Sequence, residues 1–149
     1  MIDPDVRAAE PADVPQLIAL EEEARDALVD QRGGLRWLEE HPLTGAGWLE
    51  RLSTDVVLVA LIDDVLVGYA VVVDDGPDLT RVDQVFVTPG ARELGFGDAF
   101  LAAGLAHARE RGATVFEGQA LPGDRDTKNL YERAGITARL ITVSTRLDR

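Results

Sequence analysis

The sequence predicts an α/β domain with a mixed sheet, and three observations support this prediction. Two apolar runs rich in β-branched residues, 56–62 and 65–73, flank an Asp-Asp pair that predicts a tight hairpin turn. Segments with apolar residues at helical spacing lie before and after this hairpin. A further strand, residues 80–87, leads through a Pro-Gly turn into a helix that begins with glycines. Strands and helices therefore alternate along the chain, as in α/β domains.

The predicted order is strand, helix, helix, three strands, helix, strand, helix, strand. The predicted strands share short apolar or period-two runs bounded by turn residues: 6–8, 56–62, 65–73, 80–87, 114–119 and 140–146.

The predicted helices have apolar positions three or four residues apart. Asp13 is a candidate cap for the first helix, and Pro15 is tolerated in its first turn. The Gly33-Gly34 pair breaks this helix or separates it from the second, which ends at His41-Pro42. Gly112 is a candidate C-terminal cap for the helix that follows Gly97. The remaining predicted helices are a short one at 47–52 and one at 126–134.

Composition limits the functions that are open to this chain. Its 149 residues suffice for one domain spanning residues 1–149, and its net charge is −12. That charge repels nucleic acid and anionic membrane surfaces and mildly favours a cationic partner. The absence of cysteine and the presence of two histidines leave little material for a metal site, so none is predicted. No apolar leader is evident, and a cytoplasmic protein is expected.

The segment that follows the fourth strand predicts a site for an anion. After Pro89 and Gly90, the chain runs through Arg-Glu-Leu-Gly-Phe-Gly into a helix. The first turn of a helix has unpaired N–H groups and a positive dipole end, which attract phosphate. Gly95 and Gly97 lack the Cβ atoms that would keep a phosphate away. The alternative is that these glycines only permit tight packing. The spacing fits neither the dinucleotide-binding nor the ATP-binding glycine pattern.

Two segments resemble motifs of the GNAT N-acetyltransferase superfamily. Arg92-x-x-Gly95-x-Gly97 resembles its acyl-CoA motif, and Asn129-Leu-Tyr-Glu-Arg-Ala-Gly135 resembles its Leu-Tyr-Glu-x-x-Gly-Phe segment. The resemblance implies a mixed, mostly antiparallel sheet with a splay between the fourth and fifth strands. It also implies acetyl transfer from acetyl-CoA to a primary amine of a small molecule or protein. A non-catalytic acyl-CoA-binding or regulatory domain is the alternative, and a homodimer is plausible by analogy.

The resemblance also implies which residues hold acetyl-CoA. Val85 and Val87 would lie beside its pantetheine arm, and the N–H groups from Arg92 to Gly97 would hold its pyrophosphate. Arg92 either adds a charge or points to solvent, and Asn129 either lies near the pantetheine or makes a local helix cap or turn contact. The implied cofactor-binding set is Val85, Phe86, Val87, Arg92, Glu93, Leu94, Gly95, Phe96, Gly97, Asp98, Asn129 and Tyr131.

The implied reaction needs a base and a proton donor. A primary amine is mostly protonated at neutral pH and must lose a proton before it attacks. Asp83 and Glu117 are the candidate bases, and strand alternation places Asp83 on the face of Val85 and Val87. Either carboxylate is otherwise a solvated strand residue. Tyr131 is the candidate proton donor to the leaving thiolate, or otherwise a packing residue. A strand amide, that of Val87 or its neighbour, would stabilise the oxyanion.

The first two helices and the loop before the last strand are implied to select the acceptor. Asp30 and Glu40 would attract an ammonium group, and Trp37 would offer a ring face to a cation. The alternative, which we favour on sequence alone, is a solvated helix surface with one tryptophan in the core.

Overall fold

The computed structural model describes residues 4–148 and contains one five-stranded sheet. The strands lie in sequence order, and the first three pairings are antiparallel, whereas β4 and β5 are parallel. This arrangement confirms the predicted mixed, mostly antiparallel sheet. The strands are β1 Asp5–Ala8, β2 Val56–Ile62, β3 Val65–Asp75, β4 Leu79–Val87 and β5 Val115–Glu117.

Helices cover both faces of the sheet. On one face, Leu17 of the first helix and Trp48 of the third pack with Tyr69 of β3. On the other face, Phe100 of the fourth helix packs against Leu58 of β2. Because β2 is buried on both faces, it is a continuous apolar run rather than an alternating one. The helices are α1 Val14–Asp26, α2 Gly34–Glu40, α3 Trp48–Thr54, α4 Phe96–Glu110 and α5 Arg125–Arg133.

Two predicted turns form as expected. Asp63 and Asp64 have φ angles of 49° and 64°, the left-handed pair of a two-residue hairpin turn. Gly33 has a φ of +78°, and a Cβ on Gly34 would lie 1.8 Å from the carbonyl oxygen of Leu28. Only glycine fits these two positions, so the pair separates α1 from α2.

Strands β4 and β5 separate after a short pairing, which confirms the predicted splay. Residues 79–81 of β4 pair with residues 115–117 of β5. Within residues 4–148, the pairing ends there, and the second half of β4 continues beside an opening. A ligand can therefore reach the backbone of β4 from the side that β5 leaves free.

The prediction of a sixth strand at residues 140–146 is wrong. Residues 136–148 have no regular secondary structure. Leu140 and Val143 are 75% and 88% exposed, so the apolar positions of this segment have no core to face. A period-two pattern gives β propensity, but a strand also needs a neighbouring strand to pair with. β5 has three residues, and within the described chain no ladder joins it to this segment.

Candidate functional site

A cleft of about 960 Å³ opens where β4 and β5 separate. One end is lined by the turn before α4 and by α5, and we call it the nucleotide end. The other end is lined by the end of α1, the α1–α2 turn and α2, together with Asp83 and Phe86 of β4 and Leu121, and we call it the acceptor end. The second half of β4 lies between them. The predicted residues that line the cleft are Asp83, Val85, Phe86, Val87, Arg92, Glu93, Gly95, Phe96, Gly97, Asp98, Asn129 and Tyr131.

The backbone of β4 presents free groups to the cleft. The Thr88 N–H donates to the Val67 carbonyl at 2.8 Å, which marks these residues as a hydrogen-bonded pair of the antiparallel ladder. Alternate residues bond to β3, so the N–H and C=O groups of Val85 and Val87 point away from it. The side chains of both valines pack on the α4 side. These positions agree with the predicted place of Val85 and Val87 beside an extended ligand.

The turn before α4 exposes a run of backbone amides. Within residues 4–148, the N–H groups of residues 93–98 donate no hydrogen bond. Gly95 has a φ of +90°, a conformation that favours glycine, and Glu93 also has a positive φ of 66°. A Cβ on Gly97 would lie 3.1 Å from a Leu130 methyl group. Gly97 thus allows α4 to pack closely on α5, which supports the packing interpretation, while the N–H groups of this turn have no acceptor within residues 4–148.

Arg92 folds back along β4, while 42% of its side chain stays exposed. Its Nε donates to the Val87 carbonyl at 2.9 Å, and its guanidinium lies 5.9 Å from the centre of the Phe86 ring. One of its nitrogens lies 3.9 Å from Asp126. This positive group therefore stands between the end of β4 and the exposed amides. Leu94 is 53% exposed and does not line the cleft.

Two further predicted residues lie on α4 and α5 at the nucleotide end. Asp98 pairs with Arg133 at 3.1 Å, which offsets part of its charge near the exposed amides. Asn129 is exposed and lines the cleft from α5. The alternative role of Asn129 as a cap is wrong, because Asp124 caps α5 by accepting the Thr127 N–H at 3.2 Å.

Tyr131 fills the gap beside the end of β5. It is 7% exposed, and a Cβ on Gly118 would lie 2.3 Å from its phenol oxygen. Only glycine at 118 leaves room for this ring. Burial raises the pKa of Tyr131 to about 12, although the backbone amide of Gln119 favours the phenolate and offsets part of the shift. The phenol therefore keeps its proton at neutral pH.

Asp83 lies at a β-bulge, so the prediction that it shares a face with Val85 and Val87 is wrong. The register passes from Val72 opposite Val82 to Val71 opposite Gln84, which leaves Asp83 as an extra residue. A bulge interrupts the alternation of side chains. The Asp83 carboxylate accordingly turns toward α3, on the opposite face from the two valines.

Two arginines hold the Asp83 carboxylate. Its oxygens lie 2.5 Å from a nitrogen of Arg51 and 2.8 Å from one of Arg81. Burial opposes its ionisation, but the hydrogen bonds and charges of Arg81 and Arg51 outweigh burial and keep the pKa of Asp83 below its ordinary value. Arg51 is itself held by Asp55 at 2.9 Å. Asp83 is therefore a fixed carboxylate at the acceptor end.

The structure does not bring Glu117 into the cleft. Its side chain is 43% exposed and lies 3.6 Å from Arg139. Glu117 is absent from the cleft lining, whereas Asp83 and Tyr131 both contribute to it.

Aromatic side chains dominate the acceptor end. Trp37 is half-buried in the lining and stacks on His41 with 4.1 Å between ring centres. Tyr69 donates its O–H to Gln84 at 2.8 Å. Asp30 and Glu40 are exposed and lie outside the lining, and Glu40 pairs with Arg36. The solvated-surface interpretation fits these two carboxylates, while Trp37 does face the cleft.

The sequence reasoning missed a buried carboxylate that supports the acceptor end. Glu21 is 0% exposed and accepts hydrogen bonds from the Thr44 and Gly45 amides and from the Trp48 indole. It fixes the loop before α3, the helix that carries Arg51. A signal was present, because position 21 falls four residues after Leu17 in the apolar stripe of α1.

Two classes of feature are not found in the described part of the chain. No group of three His, Asp or Glu side chains within residues 4–148 is arranged to hold a metal ion. None of the helices in this range combines the length and the apolar composition that crossing a bilayer requires.

Comparison with known proteins assigns the chain to a family. The model of the acetyltransferase (GNAT) family matches residues 17–136, so the chain belongs to the GNAT acetyltransferases. No curated protein sequence matches it.

Solved structures share the fold at low sequence identity. One is the complex of AAC(6')-Iy with the bisubstrate analogue CoA-S-monomethyl-acetylneamine (TM-score 0.71, 18% identity, 97% of this chain and 99% of that chain). Another is a ribosomal-protein-alanine N-acetyltransferase from Brucella melitensis biovar Abortus 2308 (TM-score 0.70, 22% identity, 99% and 100%). A third is a predicted acetyltransferase with acetyl-CoA from Clostridium acetobutylicum (TM-score 0.70, 14% identity, 97% and 97%).

Proposed function

We propose that the protein is an acetyl-CoA-dependent N-acetyltransferase that moves an acetyl group to a primary amine by direct attack. One observation carries the proposal: the cleft that holds Tyr131 is also lined by the part of β4 that pairs with no strand on its β5 side and by residues around the start of α4 whose N–H groups have no acceptor within residues 4–148. Structures similar to this chain contain CoA, acetyl-CoA or a CoA conjugate, which supports the choice of cosubstrate.

The nucleotide end fits an extended, anionic cosubstrate. The N–H groups of Val85 and Val87 and the Val85 carbonyl can pair with an amide-containing arm as an added strand would, while the Val87 carbonyl already accepts from Arg92. The amides of residues 93–98 can bind a pyrophosphate, with the Arg92 charge nearby. Acetyl-CoA supplies an activated acyl group as a thioester. The N–H of Val87 is placed to stabilise negative charge that develops on the thioester oxygen.

Asp83 is the better-placed carboxylate for the acceptor amine. It lines the cleft, while Glu117 does not. Because Arg51 and Arg81 lower its pKa, Asp83 is a weak base for an ammonium whose pKa is about 10. We therefore assign Asp83 to orienting the ammonium, with the proton leaving through water. Glu117 as the base stays a prediction that requires the side chain to turn away from Arg139.

Tyr131 is the proposed donor to the leaving sulfur. Its pKa of about 12 keeps the phenol protonated, so a hydrogen-bond donor is present throughout the reaction. Complete transfer to a thiolate, whose thiol pKa is about 8.5, is uphill. Tyr131 then acts best by donating a hydrogen bond that becomes a proton transfer only as the C–S bond breaks.

The experiment first measures acetyl-CoA binding by thermal shift and then turnover with an amine panel. Saturation at about 100 times Kd adds roughly 2.7 kcal/mol to the free energy of unfolding. Release of free thiol with formation of an N-acetyl product, detected by mass spectrometry, supports the proposal. Absence of both the shift and the product contradicts it.

A non-catalytic acyl-CoA-binding domain is the second candidate. The observation that favours it is the doubly paired Asp83, which is a weak base. It predicts the thermal shift without thiol release from any amine. Homodimerisation, implied by the family resemblance, stays a prediction that molar mass from light scattering would test.

A further inference from the structure

The acceptor end contains an arginine without a carboxylate partner. Among the arginines that line the cleft, Arg133 pairs with Asp98 at 3.1 Å, and Arg92 lies 3.9 Å from Asp126. Arg25 forms no ion pair within residues 4–148. It donates instead to two carbonyl oxygens at the end of α2, His41 at 2.6 Å and Leu38 at 3.3 Å. A guanidinium has five N–H donors, so Arg25 retains donors and its full charge.

Carboxylates are distributed unequally along the cleft. Those of the nucleotide end lie on the turn before α4, on α4 and around α5: Glu93, Asp98, Asp124 and Asp126. At the acceptor end the lining contains one carboxylate, Asp83, and both of its oxygens are bound by arginines. Within the described residues, a polycationic acceptor finds no unpaired carboxylate there.

Apolar and aromatic side chains make up much of the rest of the acceptor end, beside the polar Gln31. Leu28, Trp37, Phe86 and Leu121 line it together with alanines of the α1 region. A flat or branched apolar group of an acceptor can pack against these side chains and against the face of the Trp37 ring.

We propose that the acceptor is an amine with an apolar or aromatic body and a carboxylate, the chemistry of an aromatic amino acid. The Arg25 guanidinium binds the carboxylate, Trp37 contacts the body, and Asp83 faces the ammonium. This inference rests on the proposed acetyltransferase function. The unpaired Arg25 guanidinium matches the carboxylate of the acceptor, and Asp83, which is shared with Arg51 and Arg81, offers one carboxylate for a single ammonium rather than several for a polycation.

The atoms of the transfer balance. The ammonium nitrogen loses one proton to solvent and then bonds to the acetyl carbon as the C–S bond breaks. The leaving sulfur takes the phenol proton of Tyr131, and the second proton of the nitrogen, lost as the amide forms, passes through water to restore that phenol, so one proton is released to solvent overall. The products are the N-acetyl amino acid and free thiol, and no oxidant or reductant takes part.

The test uses acceptor pairs that differ only in the carboxylate: phenylalanine with phenethylamine, and tryptophan with tryptamine. Spermidine and neamine serve as polycationic acceptors. We expect wild-type KM to be at least tenfold lower for each amino acid than for its decarboxylated partner. Better turnover of the decarboxylated partner, spermidine or neamine overturns the inference while leaving the acetyltransferase proposal intact. Absence of acetyl-CoA binding overturns both.

Variants of Arg25 distinguish a role of this residue in binding the acceptor from a role in holding the end of α2. Arg25→Gln should raise KM for phenylalanine about 10- to 100-fold, because a charge-assisted hydrogen bond is lost. It should leave phenethylamine KM within about twofold and kcat similar, and Arg25→Lys should restore part of the loss. An equal rise in KM for both acceptors means that Arg25 only holds α2 and overturns the inference. Arg32→Gln, at an exposed position outside the lining, is the matched control.

Discussion

The two ends of the cleft use different chemistry to present polar groups. At the nucleotide end, the groups are backbone amides and carbonyls of β4 and of residues 93–98. At the acceptor end, they are side chains that come from α1, α2 and β4 and are supported by Arg51 of α3. The backbone groups need only a turn with the correct φ angles, whereas the side chains need several segments to pack together.

This difference explains which half of the site is recognisable from a short motif. Every residue except proline supplies a backbone amide, whatever its side chain. The nucleotide end can therefore be recognised in the sequence from a strand end followed by glycines. The acceptor end depends on buried polar groups such as Glu21 and Asp83, each of which needs distant partners. Buried polar groups without partners are costly, so a change there should reduce stability more than a change at the nucleotide end.

The largest expected effect tests this contrast at Glu21. Glu21→Ala leaves the buried Trp48 indole and two partly buried amides without an acceptor and should lower the free energy of unfolding by about 3–5 kcal/mol. Urea unfolding measures the change. Glu22→Ala, at the neighbouring exposed position, should change it by less than about 0.5 kcal/mol. Equal effects of the two substitutions would contradict the contrast between the two ends.

The second-largest expected effect is a loss of kcat on substitution of Tyr131, which lies between the two ends. Tyr131→Phe removes the proton donor and should lower kcat by about 100-fold, the lower range for loss of an acid catalyst. Acetyl-CoA binding, measured by calorimetry, should stay within about twofold. Gly118→Ala should also lower kcat, because its Cβ would lie 2.3 Å from the phenol oxygen. An unchanged kcat in Tyr131→Phe limits this ring to a packing role.

At the nucleotide end, a substitution that changes the backbone conformation should weaken acetyl-CoA binding more than one that only adds a side chain. Gly95→Ala places a side chain at a φ of +90° and should cost roughly 1–2 kcal/mol in strain. Relaxation of the turn should raise the Kd for acetyl-CoA roughly tenfold, as measured by calorimetry. Gly90→Ala is the control, since a Cβ there meets nothing within 4 Å. Equal Kd values for the two variants would show that this turn does not hold the cosubstrate.

The smallest expected effect is the change with pH in the stability that Asp83 provides, as distinct from its whole contribution at neutral pH. Its folded pKa lies below the ordinary aspartate value of 3.8, so its stabilising contribution is present above that pH and is lost as pH falls through the folded pKa. Asp83→Asn should therefore be less stable than wild type at pH 7, with the difference shrinking below pH 3.8. Thermal unfolding at several pH values measures it. Asp30→Asn, at an exposed position, is the control and should follow wild type.

The sequence predicted most of the fold because hydrophobic periodicity and turn residues act locally. The hairpin at Asp63-Asp64 and the division at Gly33-Gly34 formed as predicted. The prediction of a strand at 140–146 was wrong because a strand needs a neighbouring strand to pair with. The described part of the chain provides no such partner for this segment. The prediction of the sheet face on which Asp83 lies was wrong, because one bulged residue reverses the alternation of side chains along β4. No local pattern in the sequence marks that residue.

By itself, the sequence determined the order of strands and helices, the exposed amides before α4 and the family to which the chain belongs. These depend on residues that are close along the chain. Only the tertiary structure decided that Asp83 is held by Arg51 and Arg81, that Glu117 lies outside the cleft and that Arg25 faces the acceptor end. The physical reason is that the charge and pKa of a buried side chain are set by its neighbours in space, which the linear order does not specify.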